Sequence, residues 1–292
     1  MSTTKSLLVE LLVEELPPKS LKKLGDEFAR MLFAGLKTQG LTTERSAVTP
    51  YATPRRLAAH ISAVPAQAED KAVTHKLMPV AVALDASGAP TPALLKKLAA
   101  LGAGASVVPQ LERKPDGKAD ALFWSTTVRG AMLAAGVQTA LDETLRTLPI
   151  PKVMSYQLAD GWSSVNFVRP VHGIVALHGA DLVHVSALGL TSGRNTLGHR
   201  FEASVEPVVI QDADHYAPQL EQQGAVIAGF GHRHAEIVRQ LQHAAAPLGL
   251  KPIDDDALLD EVTALVERPN VLLCQFEPEF LAVPAECLIL TM

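Results

Sequence analysis

Cysteine is scarce: two in 292 residues, Cys274 and Cys287, both in late apolar stretches. That number excludes a disulfide scaffold, and their spacing fits no metal site; both are expected to be buried, reduced thiols in a reducing cytosol. Aromatic residues make up only 4%, so the core has to be built from Leu, Val and Ala. No run approaches the ~20 consecutive apolar residues of a membrane helix, and no membrane partner is expected. The opening MSTTKSLLVELLVEELPP mixes glutamates into its apolar stretch and has no small-residue cleavage site, so no signal peptide is expected and the location is cytoplasmic. Positive charge is not in excess: 26 Lys and Arg face 31 Asp and Glu, a net −5. The chain as a whole does not attract polyanions, and any such site has to be a local patch.

Catalytic fingerprints are missing as well. There is no Gly-rich phosphate loop, no HExxH, no GxSxG and no CxxC pair. His232 and His234 flank Arg233 at a basic helix start, and His172 and His178 share one strand, but neither pair has a third ligand for zinc. Asp254-Asp255-Asp256 lacks the glycine and distal Glu of a calcium loop and reads as a helix cap. Glu14-Glu15 reads as an acidic helix entry more readily than as a paired acid. No catalytic residue and no metal site are expected.

What is present is a mixed pattern of strands and helices, which points to α+β or mixed α/β. Ser6–Glu14 reads as a buried strand, stopped by Pro17 and Pro18. Leu21, Leu24, Phe28, Leu32 and Leu36 set a helix over Lys19–Gln39, with Gly40 just past its end. Ser46–Val64 is a second strand region, and Pro54 in its middle demands an edge, a bulge or a strand start. Residues 66–148 are richer in Ala, Gly and Pro; helices are expected at Thr91–Leu101 and Gly130–Leu148, with a strand at Ala121–Val128. Strands are expected at Val165–His178 and Leu182–Leu190, with a third led into by Gly198–Phe201. Helices follow at Asp212–Gln223, Gly229–Leu248 and Ala257–Glu267, and late buried strands at Val271–Phe276 and Leu288–Leu290. The sequence breaks off there in mid-pattern, as a truncated chain would. Residues 1–65 and 149–292 are expected to form one body, with 66–148 inserted as a lobe.

The polar residues that stand out are arginine-centred. Arg55 and Arg56 follow a proline, Arg169 precedes one near His172, and Arg194-Asn195 and His199-Arg200 flank a glycine-containing loop. Guanidinium forks suit phosphate oxygens, and chain turns bring such side chains to a surface. The same arginines could instead pair with local carboxylates or cap loops. On residue pattern alone the chain is a globular α+β protein with a polyanion face in view and no catalytic centre.

Six segments together resemble a known family. They are Glu14–Lys19 (EELPPK), Thr53–Ala58 (TPRRLA), Leu148–Met154 (LPIPKVM), Phe167–His172 (FVRPVH), Gly198–Phe201 (GHRF) and Phe280–Glu286 (FLAVPAE). In this order they are similar to the N-terminal portion of the beta subunit of bacterial heterotetrameric glycyl-tRNA synthetase. Two departures stand out. Leu12-Val13 replaces a usual Gly-Thr, and Ser155-Tyr156-Gln157 replaces a usual Arg-Trp-Gly, so no binding role passes to 155–157.

The resemblance implies a part of an aminoacyl-tRNA synthetase, a ligase that uses ATP to join glycine to its tRNA in protein biosynthesis. It places the class II catalytic core, with ATP and magnesium, on a separate alpha subunit of an alpha2-beta2 tetramer. It implies a body like the B3/B4 domain of phenylalanyl-tRNA synthetase beta subunits. Three roles stay open: a tRNA-binding and assembly module without cofactor, an editing hydrolase acting on mischarged tRNA, and a docking module that never touches RNA. Under the first, Arg55, Arg56, Arg169, His172, Arg194, Asn195, His199 and Arg200 are the expected tRNA contacts.

Overall fold

The computed structural model describes residues 3–117 and 119–291. Strand β1 (Thr4–Val13) is buried from Leu7 onward. A strand covered on both faces needs continuous rather than alternating apolar residues, and Leu7-Leu8-Val9 and Leu11-Leu12-Val13 supply them around a single carboxylate, Glu10. Helix α1 (Pro18–Thr38) starts with proline at its first position, where no donor is needed. Its stripe of Leu21, Leu24, Phe28, Leu32 and Leu36 is buried, and Gly40, at φ 75°, closes it. Strands β2 (Val48–Thr53) and β3 (Arg56–Pro65) form a hairpin, and Pro54 sits in its tight turn, where a missing donor costs no ladder bond.

The next stretch divides in two. Strand β4 (Lys71–Pro79), helices α2 (Val80–Ala83) and α3 (Pro92–Ala100), and strands β5 (Glu112–Asp116) and β6 (Ala119–Val128) make a separate three-stranded sheet, order β4-β6-β5. Thr91 caps α3 with its side chain, and Leu94 and Leu98 join Leu77, Ala83 and Leu122 in a small core of their own. Helix α4 (Leu133–Thr147), by contrast, buries Val137, Ala140 and Leu141 in the principal core beside α1. Gln39, at the end of α1, donates one amide to the carbonyls of Gly35 and Gly136, tying the two helices.

Strands β7 (Met154–Gln157) and β8 (Ser164–Phe167) form a short hairpin, and β9 (Val171–His178) follows. The expected single strand Val165–His178 is thus broken at Arg169-Pro170. The expected strand Leu182–Leu190 is instead three fragments, β10 (Asp181–Leu182), β11 (Ser186–Ala187) and the start of β12 (Leu190–Gly193). Leu188 and Gly189, both at positive φ, turn the chain between the last two. Past β13 (Asn195–Thr196), Gly198–Phe201 is turn rather than an approach to a strand; the partner of β13 is β14 (Val208–Val209).

Helices α5 (Tyr216–Gln222), α6 (Phe230–Ala245) and α7 (Asp256–Leu265) agree with the apolar spacing, and Asp255 caps α7 by accepting from the Leu258 amide. The late strands are corrected. Residues 271–277 have no regular structure, with Leu272 73% exposed, and 285–291 is a helix, α8 (Ala285–Thr291). The cysteines are corrected too: Cys274 and Cys287 are exposed, because that segment does not enter a core.

The main sheet has the order β11-β12-β9-β1-β3-β2, with β10 also on β9. All its pairs are antiparallel except β12 with β9. One face packs on α1 and α4 through Leu7, Val9 and Leu11. The other, through Leu8, Val175 and Leu177, packs on Tyr216 and Leu220 of α5. This is a mixed α+β architecture with several sheets. No helix among the described residues is long and apolar enough to cross a membrane.

Candidate functional site

The β2–β3 turn, the exit of β1 and the approach to β9 meet at one end of the main sheet. The Val13 amide donates to the Arg55 carbonyl (2.8 Å), Leu16 to Pro54 (2.7 Å) and Glu14 to Pro170 (2.9 Å). A fourth segment, the turn at 197–201, comes in from the side. It is held because the His199 amide donates to the Gly224 carbonyl at 2.6 Å. A Cβ on Gly198 would sit 2.6 Å from the Gly224 backbone, so only glycine allows that approach. Three of the sequence clusters, 53–57, 167–172 and 198–201, are therefore neighbours in space.

Within this junction Arg55 and Arg56 are engaged by the protein itself. One Nη of Arg55 donates to Glu267 Oε2 at 2.7 Å and to the Gly198 carbonyl at 2.6 Å. Arg56 reaches Glu267 Oε1 at 2.7 Å, Thr53 Oγ1 at 3.1 Å and the Leu197 carbonyl at 2.5 Å. Arg56 is fully buried and Arg55 8% exposed, so neither is displayed as an open strand-end cation. Burial pushes the Glu267 pKa upward, but the charges of Arg56 and Arg55 and a Thr53 hydroxyl outweigh it and hold the carboxyl below its ordinary value. Deeper in, Glu10 accepts from Thr196 and Tyr216 and lies 3.7 Å from Arg56 Nε, which has no hydrogen-bond partner among the described residues. Burial, and then the Glu10 charge, raise the Tyr216 hydroxyl well above its usual range, so it is a permanent donor.

Arg233, also fully buried, donates to the carbonyls of Ala52, Ile227, Ala228 and Thr263. Burial lowers its pKa to about 10, which still leaves it cationic at neutral pH. Glu10, Glu267, Tyr216 and Arg233 were not singled out as interacting residues by the sequence. Its only hint of a buried polar network was the lone carboxylate in the apolar run of β1.

The outer layer of the junction is solvated. Glu14 accepts from His172 at 2.9 Å and from Arg200 at 3.2 Å, and Arg200 lies 3.7 Å from Glu15. Arg169 donates to the Glu15 carbonyl at 3.0 Å and to its neighbour's carbonyl, not to either carboxylate. Phe201 is 90% exposed and meets the His199 ring edge-on, with centroids 6.1 Å apart. Glu15, Arg55, His199, Arg200, Phe201 and Arg268, the last paired with Glu202 at 3.1 Å, border an open cleft of about 240 Å³ with Glu267; Glu14, His172 and Arg169 lie beside it. Arg194 and Asn195 are not part of it. Arg194 caps the carbonyls of Ala180, Ile210 and Gln211 beside the turn after β9, at the sheet's opposite end, and Asn195 is exposed on the β13–β14 ladder. Among the described residues no group of three His, Cys, Asp or Glu is placed to hold a metal ion.

Comparison with known proteins bears on the chain as a whole. Residues 7–292 match the family model described as glycyl-tRNA synthetase beta subunit. The glycine--tRNA ligase beta subunit of Leptothrix cholodnii is 71% identical over 98% of this chain and 40% of its own length. The protein of the same name in Acidovorax ebreus is 68% identical over 98% and 40%. The one in Thiobacillus denitrificans is 66% identical over 99% and 41%. The chain thus spans about two fifths of the length of the curated relatives it matches.

Proposed function

The chain belongs to the glycyl-tRNA synthetase beta subunit family, and on that premise we propose that it is the tRNA-binding and assembly module of a glycine–tRNA ligase. Glycylation, with its ATP and magnesium, takes place on an alpha subunit of an alpha2-beta2 tetramer in the cytoplasm. The observation that supports the RNA half is the outer layer of the junction. Arg200 is half exposed, its carboxylate partners are exposed, and Phe201 projects beside it. Exposed ion pairs contribute little and exchange readily, so a phosphate can take the place of Glu14 or Glu15, while an unstacked base finds an aromatic face. Arg200, His172, His199 and Arg169 then form the contact, and Arg55 and Arg56 shape it from beneath. Arg194 and Asn195, at the far end, fall outside this contact.

The assembly half is supported by the apolar segment after α7, where Leu272, Leu273 and Leu281 are 73, 59 and 68% exposed without a basic rim. The editing alternative finds less support, because Glu267, the buried carboxylate of the cleft, is already held by two arginines. The body is read as B3/B4-like, and the inserted lobe expected at 66–148 is narrowed to residues 71–128, because α4 packs in the principal core beside α1.

The test is tRNA binding to the assembled alpha–beta complex across a salt series. Arg200→Ala is expected to weaken binding and to make the log–log salt slope shallower by about one, with discrimination among tRNAs unchanged. An unchanged slope removes this cleft from the RNA contact. Residues 1–292 alone are expected to show no ATP–pyrophosphate exchange, and measurable exchange would overturn the division of labour.

A further inference from the structure

Beyond the junction, the outer face of the β4-β6-β5 sheet is partly open, with Ala121 buried and Phe123 partly exposed on it. Residues 71–128 hold seven Lys and Arg against four Asp and Glu, a net +3 within a chain of −5, so the remainder carries −8. The positive excess belongs to this segment as a whole; on the outer face itself Lys76 and Lys114 stand beside Glu112 and Asp116. The inner face of the sheet is covered: Leu122 and Trp124 pack toward α2 and α3, with Trp124 also stacked on His75 at 5.8 Å. Successive residues of a strand face opposite ways, so Phe123, paired with Lys76, and Ser125, paired with Thr74, point outward. Lys114 lies on the same outer side, its Nζ 5.8 Å from the centre of the Phe123 ring. The lysines pair with exposed carboxylates: Lys76 with Asp116, and Lys114 with Glu112 at 2.6 Å, with all four side chains 39–54% exposed. A Thr74–Ser125 hydroxyl pair at 3.1 Å completes the face.

We propose that this face binds an unpaired segment of RNA, with one base on the Phe123 ring and the adjacent phosphates on Lys76 and Lys114. One aromatic ring among ion pairs and hydroxyls is too polar for an apolar protein contact. It has what a splayed nucleotide needs: a flat apolar surface, two movable cations and hydroxyls for sugar or base edges. A duplex would offer the ring no unstacked base. The proposal rests on the reading that the complex handles tRNA, and it adds a second, separate contact to it.

The experiment is filter binding of tRNA to the complete alpha–beta complex over a salt series. Lys76→Gln with Lys114→Gln is expected to make the log–log slope shallower by about 1.4 to 1.8. Lys76→Arg with Lys114→Arg should leave it in place. Phe123→Leu is expected to weaken binding at least about fivefold at constant slope. Proteolysis across residues 66–132 checks that each variant keeps the lobe folded, and the lysine pair decides the matter if Phe123→Leu does not. Unchanged affinity and slope in the lysine variant, with binding by the unmodified complex intact, would overturn this inference and leave the junction reading standing. Loss of alpha–beta association with unaltered RNA binding would overturn it in favour of a protein partner. No tRNA binding by the unmodified complex would overturn both.

Discussion

Arginine and lysine do opposite work in two regions of this chain. In the junction, Arg55 and Arg56 are enclosed with Glu267 and hold three chain segments together. On the outer face of the β4-β6-β5 sheet, Lys76 and Lys114 stand in water beside exposed carboxylates. The first region is conspicuous in sequence, two consecutive arginines after a proline, and its cations are inaccessible. The second is inconspicuous, its two lysines 38 positions apart, and its cations are free to change partner. Whether a basic residue can meet a ligand depends on where the nearest carboxylate lies in space.

The largest test of that contrast is Glu267→Ala. It leaves buried Arg55 without its carboxylate and Arg56 with Glu10 alone, at 3.7 Å, and is expected to cost roughly 3–5 kcal/mol of stability by denaturant melting. A change under about 1 kcal/mol would mean the junction is as wet as the lobe. Leu94→Ala comes next. It should cost roughly 2–4 kcal/mol, read as faster proteolysis within 71–128 while the main transition stays in place. An equal drop in the main transition would show one cooperative unit rather than two.

The third test is pH. Because the folded Glu267 carboxyl is held below its ordinary value of 4.5, its contribution is full above that pH and is lost as pH falls through the folded value. Acid melts of the wild type should steepen below about pH 4.5, and Glu267→Gln should remove that part of the dependence; identical acid limbs would refute the coupling. The smallest effect is expected for Arg200→Ala, whose carboxylate partners at 3.2 and 3.7 Å are solvated. Its stability should move by about 0–1 kcal/mol, and a loss above about 2 kcal/mol would place Arg200 with the buried pair.

The fold was legible where burial imposes a period. The α1 stripe at Leu21, Leu24, Phe28, Leu32 and Leu36 can only be a helix with one covered face, and the unbroken apolar run of β1 marks a strand covered on both. Strands β4 and β5 were missed because they are mostly exposed; Glu112–Asp116 is exposed at every position and carries no alternation to read. The segment Val271–Phe276 misled for the converse reason, since its apolar residues face solvent. At the candidate site, proline and glycine told where the chain turns, and the clusters around Arg55, Arg169 and His199 did come together. What could not be read was the partner. Glu267 lies more than 200 positions from Arg56, and nothing local in either segment specifies that they meet.

The place of β1 in the sheet has a consequence for synthesis. Leu7 pairs with Ile61 on one side and with His178 on the other. At about 5–20 residues per second on the ribosome, the second partner emerges roughly 10–30 s after the first strand is made. During that interval one long apolar edge of β1 stays open, the kind of edge that recruits wrong strands. Nascent chains stalled after Pro65 but before Val171 should therefore aggregate, or hold a chaperone, more than chains stalled beyond Leu182. Sedimentation of the two sets of ribosome-bound chains would show it.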